Sequence, residues 1–177
     1  MKKMFIPFIA LIAFSISCKK SSTASASVTA TVNGVNKSFG VSAFAAKAYE
    51  AGSTGIEIIA VANASTEESI AITIDNSLGG GVDSIVAGTY SDTSTRFELD
   101  VTYTPAAATN IDYTGGSDVD GSENGGVYPD HMTITITSIS KTAIKGTFSG
   151  NIYLNSDPTQ ASLAVTNGTF SLPFTNP

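Results

Sequence analysis

Between Thr95 and Thr104 apolar and polar residues alternate without a break: Phe97, Leu99, Val101 and Tyr103 against Arg96, Glu98, Asp100 and Thr102. A period of two puts one set on each face of an extended strand, so this stretch reads as a half-buried antiparallel strand. The same alternation recurs at Ser69–Asp75, where Ile70, Ile72 and Ile74 face away from Ala71 and Thr73. It returns at Ser27–Asn33 with Val28, Ala30 and Val32, and from Met132 with Met132, Ile134 and Ile136. No helical period of useful length competes with it after the N-terminal segment, and sparse charge with abundant Gly, Ser and Thr suits short strands and tight turns.

Turn chemistry spaces these strands. Asn33-Gly34 offers the positive φ angles of a type I′ turn, and the polar stretch Asn63–Glu68 joins Gly55–Ala62 to Ser69–Asp75 as a hairpin with an isoleucine-lined inner face. Val35–Phe44 continues as a strand with Val35, Phe39, Val41 and Ala43 as its apolar members, while Ala45–Tyr49 is open to a helical turn. A short strand is expected near Gly88–Ser91. After the turn at Lys141–Ala143, Ile144–Leu154 is expected to bury Ile144, Phe148, Ile152 and Leu154. Ala161–Thr166 and Gly168–Phe174 form the last pair, joined at Asn167-Gly168. Gly-Thr-Phe-Ser occurs at both Gly146–Ser149 and Gly168–Ser171, which reads as equivalent strand starts in one sheet. About ten strands with turn signals every 8–12 residues mean an all-β, antiparallel β-sandwich, with a β-barrel as the alternative. Residues 105–130 show no apolar periodicity, and a loop of that length is usually functional or disordered.

The N-terminus is of another kind. Lys2 and Lys3 precede an apolar run from Met4 to Ser17, too short for the ~20 residues a membrane-spanning helix needs. It ends in Phe14-Ser15-Ile16-Ser17-Cys18, which resembles a bacterial lipobox, where lipid is attached to the cysteine before cleavage makes it the new N-terminus. The division that follows is a signal peptide at 1–17, a flexible tether at 18–26 and one β-domain at 27–177. Acyl chains contribute ~0.8 kcal/mol per buried CH₂, so an acylated Cys18, carrying palmitate or similar chains, would hold the domain at a membrane. Cys18 is the only cysteine, so no disulfide can form within one chain. Loss of Lys2 and Lys3 would take the net charge from −6 to −8, which argues against nucleic acid as a partner.

Thr31–Gly34, Gly88–Tyr90, Lys145–Ser149 and Asn167–Phe170, following the lipobox, together give an arrangement that resembles uncharacterised lipoproteins of Bacteroidota known only as domains of unknown function. The resemblance implies an all-β outer-membrane lipoprotein and transfers no catalytic residue. Surface-displayed lipoproteins of that phylum often carry acidic residues after the lipidated cysteine. Here Lys19-Lys20-Ser21-Ser22 stands there, so the periplasmic face and the cell surface are both open. Asp83-Ser84-Ile85 resembles the phylum's O-glycosylation acceptor, which would place a glycan on Ser84.

Candidate chemistry is thin. No cofactor motif occurs; Asp118 and Asp120, with Gly121 between them and Glu123, supply alternating oxygens that suit a Ca²⁺ ion but lack the remaining ligands of an EF-hand loop. His131 is the only histidine, and no Gly-x-Ser-x-Gly elbow accompanies it. Tyr113 and Tyr128 fall in the long loop, where burial explains them least, whereas Tyr90, Tyr103 and Tyr153 suit the core. The expectation is a lipid-anchored, non-enzymatic binding or structural module with a protein or glycan partner, its binding surface on the loop Ala106–Asp130. The alternatives are a calcium-dependent adhesion or assembly subunit, and a hydrolase using His131 with loop carboxylates.

Overall fold

The computed structural model describes residues 26–50, 53–76, 78, 84–117 and 131–175. Its strands are β1 (Ser27–Val32), β2 (Val35–Phe39), β3 (Ser42–Glu50), β4 (Ser53–Asn63), β5 (Glu68–Asp75), β6 (Gly88–Ser91), β7 (Glu98–Thr104), β8 (Tyr113–Gly116), β9 (Thr133–Ile139), β10 (Ala143–Leu154) and β11 (Ser162–Pro173). Every strand pairing is antiparallel, and the hydrogen-bonded order is β2-β1-β11-β10-β8-β7-β5-β4-β3, with β9 and then β6 branching from β10. One edge of β10 is shared: Ile144–Ser149 pair with β9, and Tyr153 and Leu154 pair with β8. Two walls result, β6-β9-β10-β11-β1-β2 and β8-β7-β5-β4-β3, joined through β8 and β10. At the opposite corner Ala45 of β3 bridges Phe174, and the Thr175 N–H donates to the Ala45 carbonyl at 2.9 Å. The sheet is thereby nearly closed into a barrel.

The alternation read from the sequence is what fills it. Ile56, Ile58 and Ala60 of β4 stand opposite Ile74, Ile72 and Ile70 of β5, which in turn stand opposite Leu99, Val101 and Tyr103 of β7, all of them buried. The facing wall contributes Val28, Val32, Ile134, Ile136, Ile144, Phe148, Ile152, Phe170 and Leu172. Each such side chain removed from water stabilises the fold by about 1.5–3 kcal/mol. Phe39 of β2 meets Tyr103 of β7 edge to face, with ring centroids 6.4 Å apart. Above them the Tyr103 hydroxyl donates to Glu68 Oε1 at 2.6 Å, and Lys37 Nζ reaches the same oxygen at 2.7 Å, closing that end of the barrel with charge. Tyr90 and Tyr153 are buried as well.

The two Gly-Thr-Phe-Ser segments are neighbours rather than separate strand starts. They pair with each other, Gly146 opposite Phe170 and Phe148 opposite Gly168, so each ring lies over the other segment's glycine. A Cβ at Gly146 would overlap the Phe170 ring, and one at Gly168 would overlap the Phe148 ring and carbonyl.

Three further expectations are corrected. Asn167-Gly168 is not a hairpin turn: β11 runs unbroken from Ser162 to Pro173, and Asn167 (φ 52°) forms a bulge where the β1 register jumps from Thr29↔Thr169 to Thr31↔Thr166. Its two halves cannot fold back on each other because both pair with the same neighbours, β1 and β10. Ala45–Tyr49 is extended, not helical, because β4 pairs with β3 residue by residue from Ser42↔Val61 to Glu50↔Ser53. The stretch expected to be one long loop from 105 to 130 contains a 3₁₀ turn at Ala107–Thr109 and the strand β8, which pairs with both β7 and β10. The Asn33-Gly34 turn forms as expected, with φ of 48° and 79°.

Candidate functional site

The outer faces of the two walls differ in chemistry. On the first, one row crosses six strands: Ser38, Thr29, Thr169, Thr147, Thr135 and Thr89. Adjacent hydroxyls bond within it, Thr29 to Thr169 at 2.9 Å and Thr89 to Thr135 at 3.0 Å. On the second wall the inward isoleucines and leucine leave Glu57, Asp75, Glu98 and Asp100 on the outside by strand alternation.

The second wall also carries a groove of about 610 Å³, within the range of small-molecule sites. Its floor is a single cross-strand row, Ser42–Val61–Ser69–Thr104, over β3, β4, β5 and β7, with Ile59 beside Val61. Val41, Ala64 and Ala107 add apolar surface, and Val41 is 60% exposed. Glu67 from the β4–β5 turn and Asn110 and Asp112 from the loop after β7 supply the polar groups. Among the described residues no Lys, Arg or His lines the groove.

Its two banks are tied together. The Ala107 N–H donates to the Thr66 carbonyl at 3.0 Å, fixing the loop to the β4–β5 turn. The Thr104 hydroxyl donates to Asp112 Oδ1 at 2.6 Å, and the Asn155 N–H donates to the Asp112 carbonyl at 2.9 Å. Asp112 is thus positioned by both β7 and the turn after β10. Beneath the same turn, burial alone would raise the Glu68 carboxyl, but the Lys37 and Tyr103 hydrogen bonds outweigh it and hold the group below its ordinary 4.5. Tyr103 is pushed well above its ordinary value by burial and by its bond to Glu68.

The residues singled out from the sequence do not converge on this groove. Cys18, Asp118, Asp120 and Tyr128 lie outside the described residues. Among the described residues no group of three His, Cys, Asp or Glu side chains could hold a metal ion, and no helix is long and apolar enough to cross a membrane. Tyr113 is in β8 rather than on a loop, half-buried against the core and paired with Tyr103 and Leu154. Ser84 is exposed ahead of β6. His131 is about half exposed; its Nδ1 lies 3.1 Å from Asp92 Oδ1, so its carboxylate partner comes from the turn after β6. The Asp92 carboxylate, its side chain 7% exposed, also accepts from the Met132 N–H at 2.9 Å and the Ser91 hydroxyl at 3.2 Å, which makes it a clasp between β6 and β9. The depression beside His131 is lined by Ser149, Gly150, Asn151, Ala164, Val165 and Thr166, with no carboxylate among them.

The groove was half legible. Its bank at Ala107, Asn110 and Asp112 belongs to the loop expected to bind, whereas its floor was missed. The available signal was Ile56-Glu57-Ile58-Ile59-Ala60-Val61, where apolar residues fall on both parities and so leave Ile59 and Val61 on the outer face. Comparison with protein-family models, with curated proteins and with solved structures finds no match to this chain.

Proposed function

We propose that the chain is a lipid-anchored binding module of the cell envelope, held at the outer membrane through Cys18 and taking its ligand in the groove of the β3-β4-β5-β7 wall. The groove is the observation that carries the binding role: a concave site in which Ile59, Val61 and Val41 supply apolar surface beside a few convergent polar groups, built on the strands of one wall. The hydroxyl row on the opposite wall is a weaker candidate, because exposed hydroxyl pairs exchange bonds with water for little net gain. The resemblance to Bacteroidota lipoproteins and the lipobox-like Ser15-Ile16-Ser17-Cys18 support the anchor.

A ligand that binds only the folded state raises the unfolding midpoint. The test is thermal unfolding of the mature-length chain, carrying Cys18→Ser so that no lipid is attached, in fractions of a small-molecule envelope extract. A fraction that stabilises this chain but not a second form with Ser69→Trp, which fills the groove floor, is the expected result. Stabilisation of both forms alike, or of neither by any fraction, counts against the reading.

A further inference from the structure

The lining of the groove selects a class of ligand. Its banks carry two carboxylates, Glu67 and Asp112, with the Asn110 amide, and the Thr104 hydroxyl holds Asp112 in place at 2.6 Å. The same groove carries Ile59, Val61 and the exposed Val41 on its β3–β4 side. The wall around it is acidic too, with Glu57 and Asp100 on the same outer face, in one cross-strand row two rows away. An anionic ligand would meet two like charges and, among the described residues, no cation, and a small neutral polar ligand would leave Ile59, Val61 and Val41 wet. We infer that the groove binds an organic cation with a short hydrocarbon body: a primary ammonium group against Glu67 and Asp112, and methylenes over Ile59 and Val61. This rests on the groove being the binding site.

The probe is hexylammonium, compared with hexanol and hexanoate, titrated into the ¹⁵N-labelled mature-length Cys18→Ser chain at low salt and followed by amide shifts. Saturable shifts centred on Val61, Ser69, Thr104 and Asn110 are expected, with hexylammonium tighter than hexanol and hexanoate weakest. Exposed ion pairs contribute modestly, so Glu67→Gln or Asp112→Asn weakens hexylammonium about threefold each, and the pair about tenfold, while hexanol is unaffected. Added salt weakens hexylammonium alone. Equal binding of hexanol and hexylammonium, or tighter binding of hexanoate, overturns the cationic class yet leaves the groove as a binding site. Shifts that fail to saturate with all three probes overturn both. Amide spectra of the variants that overlay the parent away from the groove show that they fold.

Discussion

Replacing Gly146 with Ala tests the packing of the barrel where two competing effects have opposite signs. Gly146 lies outside the left-handed region, so Ala can adopt its backbone conformation. In a strand of ordinary spacing the change should then stabilise the protein by about 0.4–1 kcal/mol, because Ala leaves the unfolded chain less freedom to lose. Here, however, the added methyl would overlap the Phe170 ring on β11 and the Thr135 carbonyl on β9. The ring can tilt, but the carbonyl belongs to a paired strand, and overpacking of this kind costs about 1–3 kcal/mol. Taking about 3 kcal/mol for two simultaneous overlaps and subtracting the unfolded-state gain leaves a net loss of about 2 kcal/mol. For a chain of this length that is a fall in midpoint of roughly 4–8 °C. Gly88→Ala is the control, since a Cβ there meets nothing within 4 Å; it should be neutral or slightly stabilising. Thermal and urea unfolding of both variants decide the matter. A Gly146→Ala protein as stable as the parent would refute the paired glycine–phenylalanine packing.

Asp92→Ala leaves the Met132 N–H without its acceptor and should cost about 1–3 kcal/mol in urea unfolding, whereas His131→Ala, which removes only an exposed partner, should cost under about 1 kcal/mol. Glu68 has a folded pKa below its unfolded value, so its contribution is present above about pH 4.5 and is lost as pH falls through the lowered folded value. Between about pH 6 and about pH 3 the parent should therefore lose more stability than Glu68→Gln, and parallel curves would remove Glu68 from the acid response. In cells fed labelled palmitate the full chain should become labelled and sediment with membranes, and Cys18→Ser should do neither; a labelled Cys18→Ser chain would relocate the acyl site.

Strand positions were legible wherever one parity was apolar and the other polar, as at Ile70–Ile74 and Leu99–Tyr103, because burial on one face fixes period and register together. β8 was not, since Tyr113-Thr114-Gly115-Gly116 offers no apolar alternation. Gly115 and Gly116 are buried because the β10 and β7 backbones approach them too closely for a side chain, and long-range backbone proximity leaves no local pattern. Asn167-Gly168 misled for a related reason: positive φ suits a turn and a bulge equally, and only the neighbours β1 and β10 decide between them. The same holds for the Asp92–His131 contact, which joins residues far apart in sequence through the pairing of β6 with β9. The groove combines both cases, with a bank in a segment flagged by its length and a floor hidden in the outward parity of β4.

Binding in the groove is tested most simply by mapping amide shifts of the labelled mature-length Cys18→Ser chain as the small-molecule envelope extract is added. Shifts gathered at Val61, Ser69, Thr104 and Asn110 are the expected result. Shifts gathered instead at Thr135, Thr147 and Thr169 on the hydroxyl row would contradict groove binding.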